Sequence, residues 1–305
     1  MDRGERAGAR AGGGATAIEV LVIGAGPAGL AAASTLARYG RRVAVLDPEP
    51  AGGQARWLGT VENYPGFPRG ISGKALMTRL AAQARRWGAT LARREVLSLK
   101  RSRAGFAAKT AEGTVRARAV ILATGCRFRP LGLPRERTLT GVLHGGVAEA
   151  PRLSGTVCVV GGGEAAAYQA LAASARARRV WLAVRGDRPR AHDLLRRRLR
   201  RCGKIRILPG VRAVGLEGRE RLREIIFRSA GSGRERRVRA DWLLALAGKT
   251  PLNALARAAR GPGLFLAGDV RQGLHRQVAV AAGDGVRAAM DCEAHLQRRA
   301  GGSWN

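Results

Sequence analysis

Apolar residues in this chain fall into short runs separated by glycine-rich turns and amphipathic stretches. The first run, 20–23, breaks on Gly24, Gly26 and Gly29, passes through an Ala/Leu-rich segment and resumes at 43–46, closed by Asp47. That order predicts strand, tight turn, helix and strand. A helix is expected over 72–87, with apolar positions at Ala75, Leu76, Leu80 and Ala84. Short strands are expected around 94–100, 106–110 and 114–118, ending in the apolar run AVILATG at 119–125. The opening logic then repeats: a strand at 157–160, glycines, a helix, and a strand at 180–184. Farther on, a basic helix is expected over 194–202 and strands over 205–208, 211–216, 223–227 and 240–247. A final helix should run to about 297 with an interruption at Gly283, Asp284 and Gly285, and GGSWN should fray.

The glycines of the first turn have separate physical tasks. Gly24 permits the sharp turn, Gly26 lets backbone approach a pyrophosphate, and Gly29 lets helix and strand pack closely. Phosphates would sit at the helix N-terminus, where unpaired N–H groups and the helix dipole favour an anion. Asp47, about twenty residues on, is placed to accept from an adenosine ribose. In the repeat, Gly161, Gly163 and Ala166 form GxGxxA, with Glu164 opening its helix. Two such units in one chain predict two dinucleotide sites.

Composition narrows the partners. The chain has 305 residues, 46% of them hydrophobic, which suits two modest cores. No apolar run approaches the roughly 20 residues of a membrane span, and the N-terminus lacks the apolar core of a secretory signal, so a cytoplasmic protein with no membrane partner is expected. The net charge is +33. Only Lys74, Lys100, Lys109, Lys204 and Lys249 are lysines, and the excess is arginine spread along the chain. That pattern fits a GC-rich coding sequence and predicts nucleic-acid binding only of a non-specific kind. Residues 1–16 have no apolar period and read as a disordered tail. The cysteines are Cys126, Cys158, Cys202 and Cys292, none in a CxxC pair and none with a neighbouring metal spacing. Cys158 reads as a core thiol, and Cys126 keeps a minor alternative as a redox thiol.

Gly52, Gly53 and Gln54, followed by VENYPGFP at 61–68, resemble the FAD domain of thioredoxin reductases, in the class II pyridine nucleotide-disulfide oxidoreductases. The resemblance covers most of residues 17–297. It implies that the 52–68 loop wraps the flavin with Asn63 in contact, that Thr124 and Gly125 return the chain to the FAD sheet, and that Asp269 of Gly268-Asp269 binds the ribitol chain. It also implies that Arg276 and Gln277 precede a helix whose N-terminus faces the flavin pyrimidine edge and stabilises negative charge there. Arg185 and Arg190 match the family's pattern for the 2′-phosphate of NADPH, while Val184 and Gly186 depart from it. Asp187 would serve an NADH ribose if its loop turned inward; the balance favours NADPH.

Two further departures stand out. The family's redox Cys-x-x-Cys would fall at Gly145 and Ala148, which have no redox chemistry, so the dithiol relay is expected to be absent. His144 is the titratable side chain left there apart from Glu149; it reads as a structural histidine, with a proton donor beside the flavin as the alternative. After the turn Gly248 to Asn253, which resembles the family's G-x-x-P-N return, the chain reaches GLFLAGDV at 263–270 early. A strand-bearing segment is expected to be missing there, which puts the cover of the FAD domain in doubt.

The expected fold is therefore α/β, three-layered, with two Rossmann-like dinucleotide-binding domains. The FAD domain comprises 17–138 and 248–305, with a NAD(P)H domain at 139–247 inserted. The expected activity is FAD-dependent NAD(P)H oxidation that passes electrons to an external acceptor: ferredoxin or flavodoxin, a small disulfide, or a quinone. A flavin and nicotinamide sensor without catalysis is the alternative. The resemblance implies a homodimer.

Overall fold

A computed structural model describes residues 18–147, 150, 152–271, 273 and 275–301. The expected tail at 1–16, Ala148, Glu149 and residues 302–305 lie outside the described residues. The first unit contains β1 (Ile18–Ile23), α1 (Pro27–Arg38), β2 (Val43–Asp47), β3 (Thr60–Val61), β4 (Ile71–Ser72), α2 (Gly73–Arg86), β5 (Thr90–Arg93), β6 (Ser98–Ser102), β7 (Gly105–Thr110), β8 (Gly113–Leu122) and β9 (Cys126–Phe128). The inserted unit contains β10 (Val142–Leu143), β11 (Thr156–Val160), α3 (Glu164–Ser174), β12 (Arg179–Ala183), α4 (Asp193–Arg201), β13 (Ile205–Leu208), β14 (Val211–Gly218), β15 (Leu222–Ser229), β16 (Glu235–Arg239) and β17 (Trp242–Ala245). The chain returns through β18 (Lys249–Pro251), α5 (Ala254–Ala258), β19 (Leu264–Leu266) and α6 (Val278–Arg299).

Both units are built on a parallel sheet with helices packed on one face. In the first, β5, β2, β1, β8 and β19 run parallel, and β7 and β6 extend β8 as an antiparallel meander. Successive side chains of β1 point to opposite faces. Val20 and Val22 therefore pack with α1, α2 and α6, through Leu30, Leu36, Ala84, Ala288 and Leu296. Leu21 and Ile23 pack on the other face with Leu99, Phe106, Ala256 and Val270. In the inserted unit the parallel order is β10, β17, β11, β12, β13. Val157 and Val159 face α3 and α4, while Cys158 and Val160 face the β14–β15–β16 meander through Leu216, Ile225 and Phe227.

Several elements differ from the expected pattern. The strands expected at 114–118 and 119–125 are one strand, β8, because β7 pairs its first half and β19 its second. The edge strand β5 and the charged strand β16 carry almost no apolar signal and were not anticipated. Helix α6 is continuous through Gly283, Asp284 and Gly285 rather than interrupted. A Cβ on Gly285 would overlap the Ala28 carbonyl oxygen, so this glycine serves the close crossing of α6 over α1. The short 253–263 stretch still covers the sheet, because α5 places Ala256 in the core and Ala259 follows it there.

Two strands carry the chain between units: β9 outward and β18 back, paired antiparallel with Cys126 opposite Pro251 and Phe128 opposite Lys249. Beyond β9, Leu131, Leu133 and Leu139 already pack on the inserted unit's core. Among the described residues no helix is long and apolar enough to cross a membrane.

Candidate functional site

The first glycine turn follows from close packing. Gly24 has φ +106°, and a Cβ there would overlap the Ala123 carbonyl at the end of β8. A Cβ on Gly29 would overlap the Gly24 carbonyl, so α1 rests on the turn itself. At Gly26, the N-cap of α1, the Cβ direction is open. The helix N-terminus thus faces free space across a residue with no side chain. Asp47 closes β2 and folds back: Oδ2 accepts from Ala25 N at 2.7 Å, and Oδ1 accepts from Glu49 N at 2.9 Å. Gly53, at φ +51°, would place a Cβ 3.2 Å from Gly26 Cα. The 52–54 loop is therefore drawn over the glycine turn. Gln54 donates through Nε2 to the Cys126 carbonyl. Thr124 Oγ1 donates to the Leu252 carbonyl at 2.6 Å, and Leu252 N donates to the Gly125 carbonyl at 3.0 Å.

Gly268 and Asp269 lie beside this turn. Gly268 N donates to Asp284 Oδ2 at 2.7 Å. Burial works to raise the Asp284 pKa, but that N–H and the guanidinium groups of Arg287 and Arg271 outweigh it and hold the carboxyl below its usual range. Asp284, hidden in an expected helix break, thus anchors the Gly268 turn to α6. Asp269 Oδ2 accepts from the Cys126 thiol at 3.1 Å and stands 3.9 Å from Lys249 Nζ. Burial, foremost, pushes the Cys126 thiol up to about 11. A buried thiol held protonated is a poor nucleophile, and the core reading of this cysteine is the one its geometry supports. Gly268, Asp269, His275, Arg276 and Ala281 line one cleft of about 390 Å³. Arg276 Nε is buried there with no partner among the protein's own atoms. The open Gly26 turn and this orphaned donor at the foot of α6 fit a bound, partly anionic dinucleotide.

The second turn repeats the first. A Cβ on Gly161 would meet the Leu246 carbonyl at 2.6 Å, whereas the Cβ direction of Gly163, the N-cap of α3, is open. Ala166 is buried against the turn. Arg190 N donates to the Gly162 carbonyl at 2.6 Å, so the backbone after β12 runs beside the glycine turn. Arg185, Asp187, Arg188 and Arg190 are all exposed there. The open turn flanked by guanidinium groups fits a nicotinamide dinucleotide bearing an extra phosphate.

The two sites meet. Asn63 Nδ2 donates to Gln277 Oε1 at 2.6 Å, and Gln277 Nε2 donates to Glu164 Oε2 at 3.2 Å. A residue of the 61–68 loop, the N-cap of α6 and the first residue of α3 are thereby joined in one polar chain. His144 lies elsewhere: Nε2 stands 2.8 Å from Glu136 Oε1 in the connecting loop, the sort of partner a structural histidine requires. Beside Gly145, Val147 N donates to Gln169 Oε1 on α3 at 2.9 Å and Gly146 packs against the same side chain. Sequence reasoning missed Asp284, Glu136 and Arg198. Arg198 sits in a run of arginines with the period of a solvated face, and nothing local marks it as different.

Two glycine-turn units joined in this way define a two-dinucleotide oxidoreductase. A family model for pyridine nucleotide-disulphide oxidoreductases matches residues 18–285, and the chain belongs to that family. The thioredoxin reductase of Mycolicibacterium smegmatis is 32% identical over 305 residues, 92% of this chain and 97% of its own length. The crystal structure of thioredoxin reductase from Lactococcus lactis in its FR conformation superposes with a TM-score of 0.88 at 24% identity, covering 92% of this chain and 99% of that one. Bacillithiol disulfide reductase from Bacillus cereus shares the fold at a TM-score of 0.76 and 18% identity, covering 92% and 99%. This chain is a thioredoxin reductase-like flavoprotein oxidoreductase with FAD and a pyridine nucleotide as its cofactors.

Proposed function

We propose that the enzyme draws electrons from NADPH through FAD and delivers them to an acceptor outside the chain, without an internal dithiol. When bound, the nicotinamide supplies a hydride and the flavin accepts it; the protein supplies position and electrostatics. Gly24, Gly26 and Gly29 shape the FAD pyrophosphate turn, and Asp47 reaches the adenosine ribose once released from Ala25. Gly53, Gln54, Asn63, Thr124, Gly125, Gly268 and Asp269 surround the rest of the flavin, with Arg276 and Gln277 at the α6 N-terminus. Gly161, Gly163, Glu164 and Ala166 shape the NADPH turn, with Arg185 and Arg190 for the 2′-phosphate.

One observation supports this reading above others: Gln277 is hydrogen-bonded to both Asn63, in the loop assigned to the flavin, and Glu164, at the head of the helix assigned to NADPH. The absence of a relay is supported by the cysteines themselves. Cys126 is on β9, Cys158 on β11, Cys202 just after α4 and Cys292 on α6, all as free thiols. The acceptor is an acidic carrier such as ferredoxin or flavodoxin in the reading best suited to a charge of +33; a small disulfide or a quinone would need a pocket on a flavin face. A cytoplasmic homodimer is the proposed state.

Anaerobic stopped-flow spectroscopy of the FAD-loaded protein tests the proposal. NADPH should bleach the flavin absorbance, and faster than NADH; thioredoxin should then be a poor oxidant beside acidic carriers. Flavin that binds yet is bleached by neither coenzyme would leave a non-catalytic sensor in its place.

A further inference from the structure

The inserted unit is tethered by a ribbon of only three residues per strand, β9 and β18. Its orientation over the first unit therefore depends on non-covalent contacts. Arg198 Nη1 of α4 lies 2.6 Å from Glu62 Oε2, in the loop after β3 of the first unit. The next residue, Asn63, begins the polar chain through Gln277 to Glu164. Tyr168 of α3 feels both groups: its phenol is pushed upward by burial, then by the carboxylates of Glu62 and Glu164, with Arg198 opposing. Its hydroxyl is 3.3 Å from His192 Nε2, the N-cap of α4. Thus one ion pair and one amide-carboxylate chain cross the junction side by side.

We propose that Glu62 and Arg198 are positioning residues for hydride transfer: their ion pair holds the inserted unit so that the glycine turn before α3 faces the N-terminus of α6. Neither residue belongs to a glycine turn or to the residues assigned to a cofactor. They act through the Glu164–Gln277–Asn63 chain, which needs the two units in register to within a hydrogen bond. This inference rests on the hydride-transfer reading above. Both side chains are about two-fifths exposed, so the pair biases the arrangement modestly and is open to screening by salt.

Charge reversal provides the test. Glu62→Arg and Arg198→Glu should each lower the limiting rate of flavin bleaching at saturating NADPH by roughly two- to fivefold, the range expected of an exposed pair. Affinities for FAD and NADPH should be unchanged, because neither residue touches a turn. Small-angle X-ray scattering should show each single variant expanded relative to the native chain, and the double variant should restore both rate and scattering. Single variants with native rate and scattering would overturn the proposal, as would a double variant that restores neither. Should reversal prevent folding, the single variants Glu62→Gln and Arg198→Gln, which remove the pair without repulsion, should each still lower the rate and expand the scattering, and native values for both would overturn the proposal. If the native protein is never bleached by NADPH, the functional reading fails, and scattering alone then decides whether the pair fixes the arrangement.

Discussion

Glu136 shows how much one side chain can organise without belonging to any motif. It is 4% exposed and gathers the N–H groups of Leu131, Gly132 and Leu133 at 2.7, 2.8 and 3.1 Å, together with His144. Burial works to raise its pKa, but these donors outweigh it and hold the carboxyl below the usual glutamate range. A folded-state pKa below the unfolded value means that stability is fully present above the unfolded value, about 4.3, and is lost as pH falls through the depressed one. Glu136→Gln should therefore cost about 2 kcal/mol at neutral pH, since an amide presents donors to donors. The gap in melting temperature between native and variant should narrow as pH falls through the depressed value, where the native carboxyl takes up its proton. A gap independent of pH would show that charge has no part in it. The stretch around Glu136 gave no sequence signal, because its partners are backbone groups whose positions come from the loop it folds.

At the scale of elements, α6 separates what pattern reveals from what packing decides. Glycines at 283 and 285 read as a break, since glycine weakens helices. In the fold they have opposite meanings. A Cβ at Gly285 would run into the backbone of α1 at Ala28, whereas at exposed Gly283 it would meet nothing within 4 Å. Gly285→Ala should destabilise by about 3 kcal/mol through overpacking and weaken FAD binding, because α1 and the Asp284-anchored Gly268 turn would separate. Gly283→Ala should stabilise by about 0.5–1 kcal/mol from helix propensity alone. Chemical denaturation and flavin fluorescence titration of the two variants check both signs. Elsewhere β1, α1, β2, α2 and β13 were legible, because their apolar periods match burial on one face or both. Strand β16, ERRVR, was not: backbone pairing to β15 holds it, and only Val238 enters the core.

For the whole molecule, the repeated unit was readable because each copy must solve the same close packing of strand, turn and helix, at Gly24 and Gly29 and again at Gly161 and Ala166. The joining of the copies was not. Glu62 and Arg198 are 136 residues apart, and Asn63 and Gln277 are 214 apart, so no local window contains both partners. Charge poses the same problem on a larger scale, since +33 is a property of the sum and assigns no surface. Many of the acids are already engaged: Glu19 and Glu293 grip Arg41, and Asp284 meets Arg271 and Arg287. The surplus guanidinium groups form a general field that should bind duplex DNA at low salt without sequence preference. Raising salt from about 50 to about 200 mM should weaken that binding by roughly 10³ or more, as displaced counterions dictate. Over the same range the rate of flavin bleaching at saturating NADPH should fall no more than the loss of one exposed ion pair allows. DNA binding that survives this salt, or that discriminates between sequences, would mean that the arginines form a defined nucleic-acid site.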